Sequence, residues 1–185
     1  MNKLPQITLA FWVMKICATT LGETAGDLLS MTLNIGYALS SLLLISLFIL
    51  SLLGQLSTRR YKPALYWTVI LMTSTAGTTI SDFMDRTLGL GYASGSLILI
   101  SLLASVLLVW RLTEKSLSVE HIVSRRAELF YWGAILVSNT LGTALGDYLA
   151  DDSGLGFAGG ALLIGSLLAM AVSYTHLTLP TILLV

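Results

Sequence analysis

The sequence predicts an all-α, polytopic transmembrane helical bundle, with six helices arranged as three parallel two-helix repeats. Three observations predict it. Of 185 residues, 55% are hydrophobic and only 11% are charged, against about 25% charged in an ordinary soluble domain. Uncharged stretches of bilayer-spanning length recur along the chain. One pattern of aromatic, Thr, Gly and Asp residues appears three times at fixed spacing.

The composition also excludes several classes. Charge is balanced, with 10 basic and 10 acidic residues; nucleic acid is therefore excluded as a partner, because a nucleic-acid binder shows a basic excess. The shortage of charge and the abundance of Leu and Ile exclude a disordered chain. A single cysteine forms no internal disulfide, and no Cys/His cluster spells a zinc, haem or iron–sulfur site. No cofactor is expected and no metal is specified. The sequence has no Gly-x-x-x-x-Gly-Lys-[Ser/Thr] loop, no His-Glu-x-x-His and no Gly-x-Ser-x-Gly, so the chain is not expected to be an enzyme.

A spanning helix needs about 20 predominantly apolar residues. Residues 36–56 carry no charge, and neither do 64–81, 90–110, 129–146 or 156–172. The first segment, 8–29, holds Lys15, Glu23 and Asp27. It is counted as a span because it aligns with two cleaner ones, and its charges argue against a cleavable signal peptide. With six spans, eight of the 10 basic residues (Lys3, Arg59, Arg60, Lys62, Arg111, Lys115, Arg125, Arg126) fall on one side. That bias places the N-terminus in the cytoplasm of a multi-pass cell (inner) membrane protein. The mixed-charge loop over 111–128 is expected to form a short interfacial helix.

The three copies align without a gap over about 8–56, 63–110 and 128–172. Each opens on an aromatic pair: Phe11-Trp12, Tyr66-Trp67 and Tyr131-Trp132. From the Trp, a Thr stands at +8, a Gly at +10, an Asp at +15 and a second Gly at +24 in all three. Each unit reads as a helical hairpin, helix A then helix B, and two crossings per unit give all copies one orientation. At 1.5 Å rise per residue the Trp and Asp lie about 22 Å apart. The Trp residues are thus expected in an aromatic belt at the inner interface, and the Asp residues near the outer edge.

Taken together, aromatic-Trp, Thr-x-Gly-[Glu/Thr], Asp and Gly-aromatic resemble a bacterial family of multi-pass membrane-anchored proteins of uncharacterised function. The stretch Pro5-Gln6-Ile7-Thr8, Phe11-Trp12-Val13-Met14-Lys15 and Thr19-Thr20-Leu21-Gly22-Glu23-Thr24 is the most specific part, and the likeness covers about 3–172. It implies a fourth similar unit, so the chain reads as truncated after the third, and it brings no activity. Residues 173–185 (from Ser173-Tyr174-Thr175-His176) break the repeat and resemble translated adapter read-through. They are set aside, His176 with them.

The residues that carry chemistry are the acids of the A helices. A carboxylate at a helix centre in a membrane costs about 2.5–3.5 kcal/mol, so Asp27, Asp82 and Asp147 face either a shared cavity or water at a helix end. Lys15, Thr19, Glu23 and Asp27 step by four and line one helix face, and Thr78 and Thr143 stand where Glu23 would recur. Thr20, Thr75 and Thr140 are either secondary ligands or bonded to their own backbone. Gly22, Gly26, Gly77, Gly142 and Gly146 form small-residue stripes that let helices approach closely. Asp82 and Arg86 are spaced for an ion pair, Asp85, Asp151 and Asp152 read as solvated loop acids, and Cys17 reads as packing. Two functions fit: a transporter or channel for a cation or proton-coupled small solute, with the Asp residues, Glu23, Lys15 and the Thr residues as its site; or a scaffold or subunit whose acids cap helices and fix packing. The expected partners are the lipid bilayer, a cation or small solute, and a second copy in a homo-oligomer.

Overall fold

The structure, a computed structural model, describes residues 4–58, 60–115, 117 and 124–182, the last seven as helix backbone. It is an all-α bundle of six helices: α1 (Leu9–Asp27), α2 (Tyr37–Ser57), α3 (Pro63–Asp82), α4 (Tyr92–Glu114), α5 (Arg125–Asp147) and α6 (Gly156–Ile182). Local chemistry sets the starts of the A helices. The Thr8 hydroxyl accepts from the Phe11 N–H and the Ser124 hydroxyl from the Ala127 N–H, satisfying donors that a helix start leaves open. Pro63 opens α3, where its missing N–H costs nothing. Part of the expected interfacial helix over 111–128 lies outside the described residues; of the rest, α4 runs to Glu114 and α5 begins at Arg125.

Each A helix ends on the repeat Asp and passes into one π-helical turn: Leu28–Thr32, Phe83–Thr87 and Tyr148–Asp152. The chain then reverses through the repeat Gly, whose φ is +84° at Gly36, +73° at Gly91 and +66° at Gly156. With ψ at 156°, Gly36 and Gly91 occupy a region almost closed to other residues. Gly91→Ala is expected to lower stability by about 1–3 kcal/mol, read as a drop in the thermal midpoint of the detergent-solubilised protein. An unchanged midpoint would show that this turn relaxes freely.

Packing does not follow the hairpins. Helix B of one unit lies on helix A of the next, α2 on α3 and α4 on α5, while α1 and α5 flank α3. Helix α3 is therefore the most covered, with Val69, Thr73, Ala76, Thr79 and Ser81 all at 0% exposure. Helices α2, α4 and the 156–175 part of α6 are long and apolar enough to cross a membrane; 22% of the first two and 6% of the third is buried. Their outward faces carry Leu42, Leu50, Leu97, Leu108 and Leu162, an apolar surface far larger than a soluble monomer exposes. Serines on these faces donate to their own backbone, Ser46 to the Leu42 carbonyl and Ser101 to that of Leu97, which removes the cost of an open hydroxyl in hydrocarbon.

Two of the six opening aromatics lie inside the bundle. Tyr66 and Trp132 are fully buried with Phe48, Val69 and Ile70. Their rings are 5.5 Å apart, Phe11 meets Trp67 at 5.7 Å, and the Tyr66 and Tyr131 hydroxyls hydrogen-bond at 2.8 Å. Side-by-side A helices turn their opening aromatics toward one another, where ring–ring contact adds to burial.

Candidate functional site

Two polar layers lie along the A helices. The outer layer forms where α1, α3 and α5 end. Arg86 reaches back from its π turn, donating from Nε to Asp82 Oδ1 at 3.0 Å and from Nη2 to Asp147 Oδ2 at 3.4 Å. The expected Asp82–Arg86 pair thus forms, and it extends to the next repeat. The guanidinium also lies 5.7 Å from the centre of the Tyr92 ring, a cation–π distance. Asp27 and Tyr37 sit within electrostatic reach of it. The three repeat aspartates are gathered round one guanidinium, with Asp82 only 3% exposed. Burial works against the charge on Arg86, but Asp82 and its neighbours outweigh that and hold its pKa above the ordinary value.

Asp85 is not a solvated loop acid. It is 6% exposed, accepts from the Ser81 hydroxyl at 3.4 Å, and its Oδ1 has no hydrogen-bond partner. It fits because residue 95 is Gly, whose missing side chain would collide with the carboxylate. Burial pushes the Asp85 carboxyl above its usual range, the Ser81 bond opposing. Asp151 and Asp152 are exposed as expected.

The inner layer is a cavity of about 420 Å³ among α1, α3, α5 and α6. Glu23, Thr78 and Thr143, the same position of the three repeats, all line it, with the Thr78 and Thr143 hydroxyls 3.3 Å apart. Lys15, Thr19, Ser74 and Asn139 complete its polar wall. The seams around it are polar too: Ser74 Oγ donates to the Thr19 carbonyl at 2.9 Å, and Asn139 Nδ2 to Thr73 Oγ1 at 3.0 Å. A second cavity of about 430 Å³ lies toward the aromatic end and shares Trp12, Lys15, Ser138 and Asn139 with the first. Lys15 therefore lines both cavities.

The remaining expected residues separate. Thr75 and Thr140 donate to the carbonyls of Leu71 and Leu136, one turn back on their own helices, while Thr20 is exposed. Close approach occurs at three glycines: a Cβ on Gly22 would stand 2.6 Å from Ser74 Cβ, on Gly26 3.2 Å from the Thr75 carbonyl oxygen, and on Gly77 2.9 Å from the Thr140 nitrogen. It does not occur at Gly142 or Gly146, where nothing lies within 4 Å, because their face of α5 meets the cavity side rather than another A helix. Cys17 is exposed rather than packed. The convergence of Glu23 with Thr78 and Thr143 was implicit in the repeat alignment; the burial of Asp85 was visible only in the opposed sizes of residues 85 and 95.

A family model described as a Repeat of Unknown Function (DUF347) matches the chain three times, over residues 10–61, 65–116 and 130–179. No curated protein and no solved structure matches it.

Proposed function

The chain belongs to the DUF347 repeat family, a family of unknown function, and for this helical, membrane-compatible protein we propose the role of a carrier. It moves a small solute coupled to a proton or another cation, in a bacterial inner membrane with the N-terminus inside. One observation carries the reading: the A helices of the three repeats turn the Glu23, Thr78 and Thr143 position onto one cavity. An ionisable group facing a cavity in a spanning helix is a site for proton or ion passage. In this reading Glu23 is the coupling carboxylate. Lys15 lines both cavities, and the Arg86 cluster ties the ends of α3 and α5. Arg60, Lys62, Arg111 and Lys115 at the aromatic end support the inside assignment.

A second reading, a membrane scaffold or subunit, has its own support, since Arg86 ties Asp82 to Asp147 across two repeats. These aspartates are structural in both readings. The two part at Glu23. Vesicles holding the full chain are expected to pass protons or a monovalent cation faster than empty vesicles, and Glu23→Gln at equal abundance to fall to the empty-vesicle rate. Identical rates for wild type, Glu23→Gln and empty vesicles would leave the scaffold.

A further inference from the structure

We infer that the solute held in this cavity is a zwitterion, with its ammonium group at Glu23 and its acid group at Lys15, the two charges held apart by a short chain. This rests on the carrier reading and adds the class of solute.

The wall shared by α1 carries one acid and one base, Glu23 and Lys15, both lining the cavity. Neither forms an ion pair among the described residues. The rest of the polar wall is neutral: Thr19, Ser74, Thr78, Ser138, Asn139 and Thr143. On this wall Glu23 is exposed and Lys15 half-buried, so a ligand that answers both gains a charge-assisted contact at each end. A lone cation would face Lys15. A lone anion would face Glu23, with the aspartates one turn beyond. A neutral polar solute would leave both charges open.

Polarity fixes the direction. The acid end would meet donors near Lys15, where the Trp12 Nε1–H is buried without a hydrogen-bond partner and Trp12 lines both cavities. The ammonium end would meet Glu23 on the side of Asp27. Length follows from the helix. Eight residues separate Lys15 from Glu23, an axial distance of about 12 Å. About two helical turns thus separate the two backbones, so an ω-amino acid, whose charges stand further apart than those of an α-amino acid, is the probe of choice.

The test measures binding to the detergent-solubilised full chain with three probes: 5-aminovalerate, valerate and pentylamine. The zwitterion is expected to bind at least about tenfold more tightly than either singly charged analogue. Lys15→Met should erase its advantage over pentylamine, and Glu23→Gln its advantage over valerate. The comparison among probes on the wild-type chain needs no variant to fold. Pentylamine binding as well as 5-aminovalerate, with Lys15→Met unchanged, would overturn the zwitterion and leave a cation carrier. No binding by any probe, while Glu23→Gln still abolishes flux, would overturn the zwitterion alone. No binding together with flux indifferent to Glu23 would remove the carrier reading as well.

Discussion

Arg86→Ala is expected to be among the most destabilising single changes in the outer layer, and Asp82→Asn is expected to repair part of it. Arg86 is the cation against which the Asp82 carboxylate is buried at 3% exposure. Removing one partner of a fully buried pair costs about 3–5 kcal/mol, because the other charge is left without water or counter-ion. Arg86 itself is 37% exposed, so screening brings the expected loss down to about 2 kcal/mol. Neutralising the stranded acid removes the source of the cost, so Arg86→Ala with Asp82→Asn should unfold later than Arg86→Ala alone. Thermal unfolding of the three variants in one detergent reads the order. A double variant less stable than Arg86→Ala would mean that the guanidinium acts through Asp147 or Tyr92 instead.

Gly77→Leu attacks the seam between α3 and α5. Even a Cβ at residue 77 would lie 2.9 Å from the Thr140 nitrogen and 3.2 Å from the Asn139 carbonyl carbon. Both are backbone atoms that cannot rotate aside, so the helices must separate. Overpacking costs about 1–3 kcal/mol, and a whole leucine against backbone places the loss near the upper figure. The seam also carries the Asn139–Thr73 hydrogen bond and the Thr78–Thr143 contact, so widening it should disturb the cavity wall. Gly142→Leu is the matched control. It is the same residue of the next repeat, with nothing within 4 Å, and the thermal midpoint should barely move. Equal losses in both would show that close approach to α5 is not what Gly77 provides, since helix propensity alone favours leucine over glycine at both sites.

These two glycines show how far a repeat can be read. Spacing gave the same role to Gly77 and Gly142, and with it the helices, their order and the shared orientation. A spacing rule treats every copy alike; a packed bundle does not, because α3 lies between two A helices and α5 does not. The same limit explains Trp132, which reads as an interfacial ring and is buried under Tyr66. Asp85 stands at a different limit. Its neighbours in the other copies are Ser30 with Ser40 and Ala150 with Gly160, against Asp85 with Gly95. At this pair of positions the second copy alone sets a large residue at the turn against a glycine at the start of helix B, a pairing that periodicity does not register. The π turns leave no mark in composition, since they shift the backbone hydrogen-bond register and not the residue types. The cavity position was legible in part: Glu23, Thr78 and Thr143 occupy one column of the alignment, but only the fold brings that column onto a common space.

The placement of α2 on α3 and of α4 on α5 makes successive hairpins overlap like roof tiles. A break in the chain after α2 would strip α3 of its cover even though both hairpins stayed whole. During synthesis α2 would wait in the lipid, half clothed, until α3 arrives. The three units should therefore melt as one block, and no hairpin cut out alone should keep its shape.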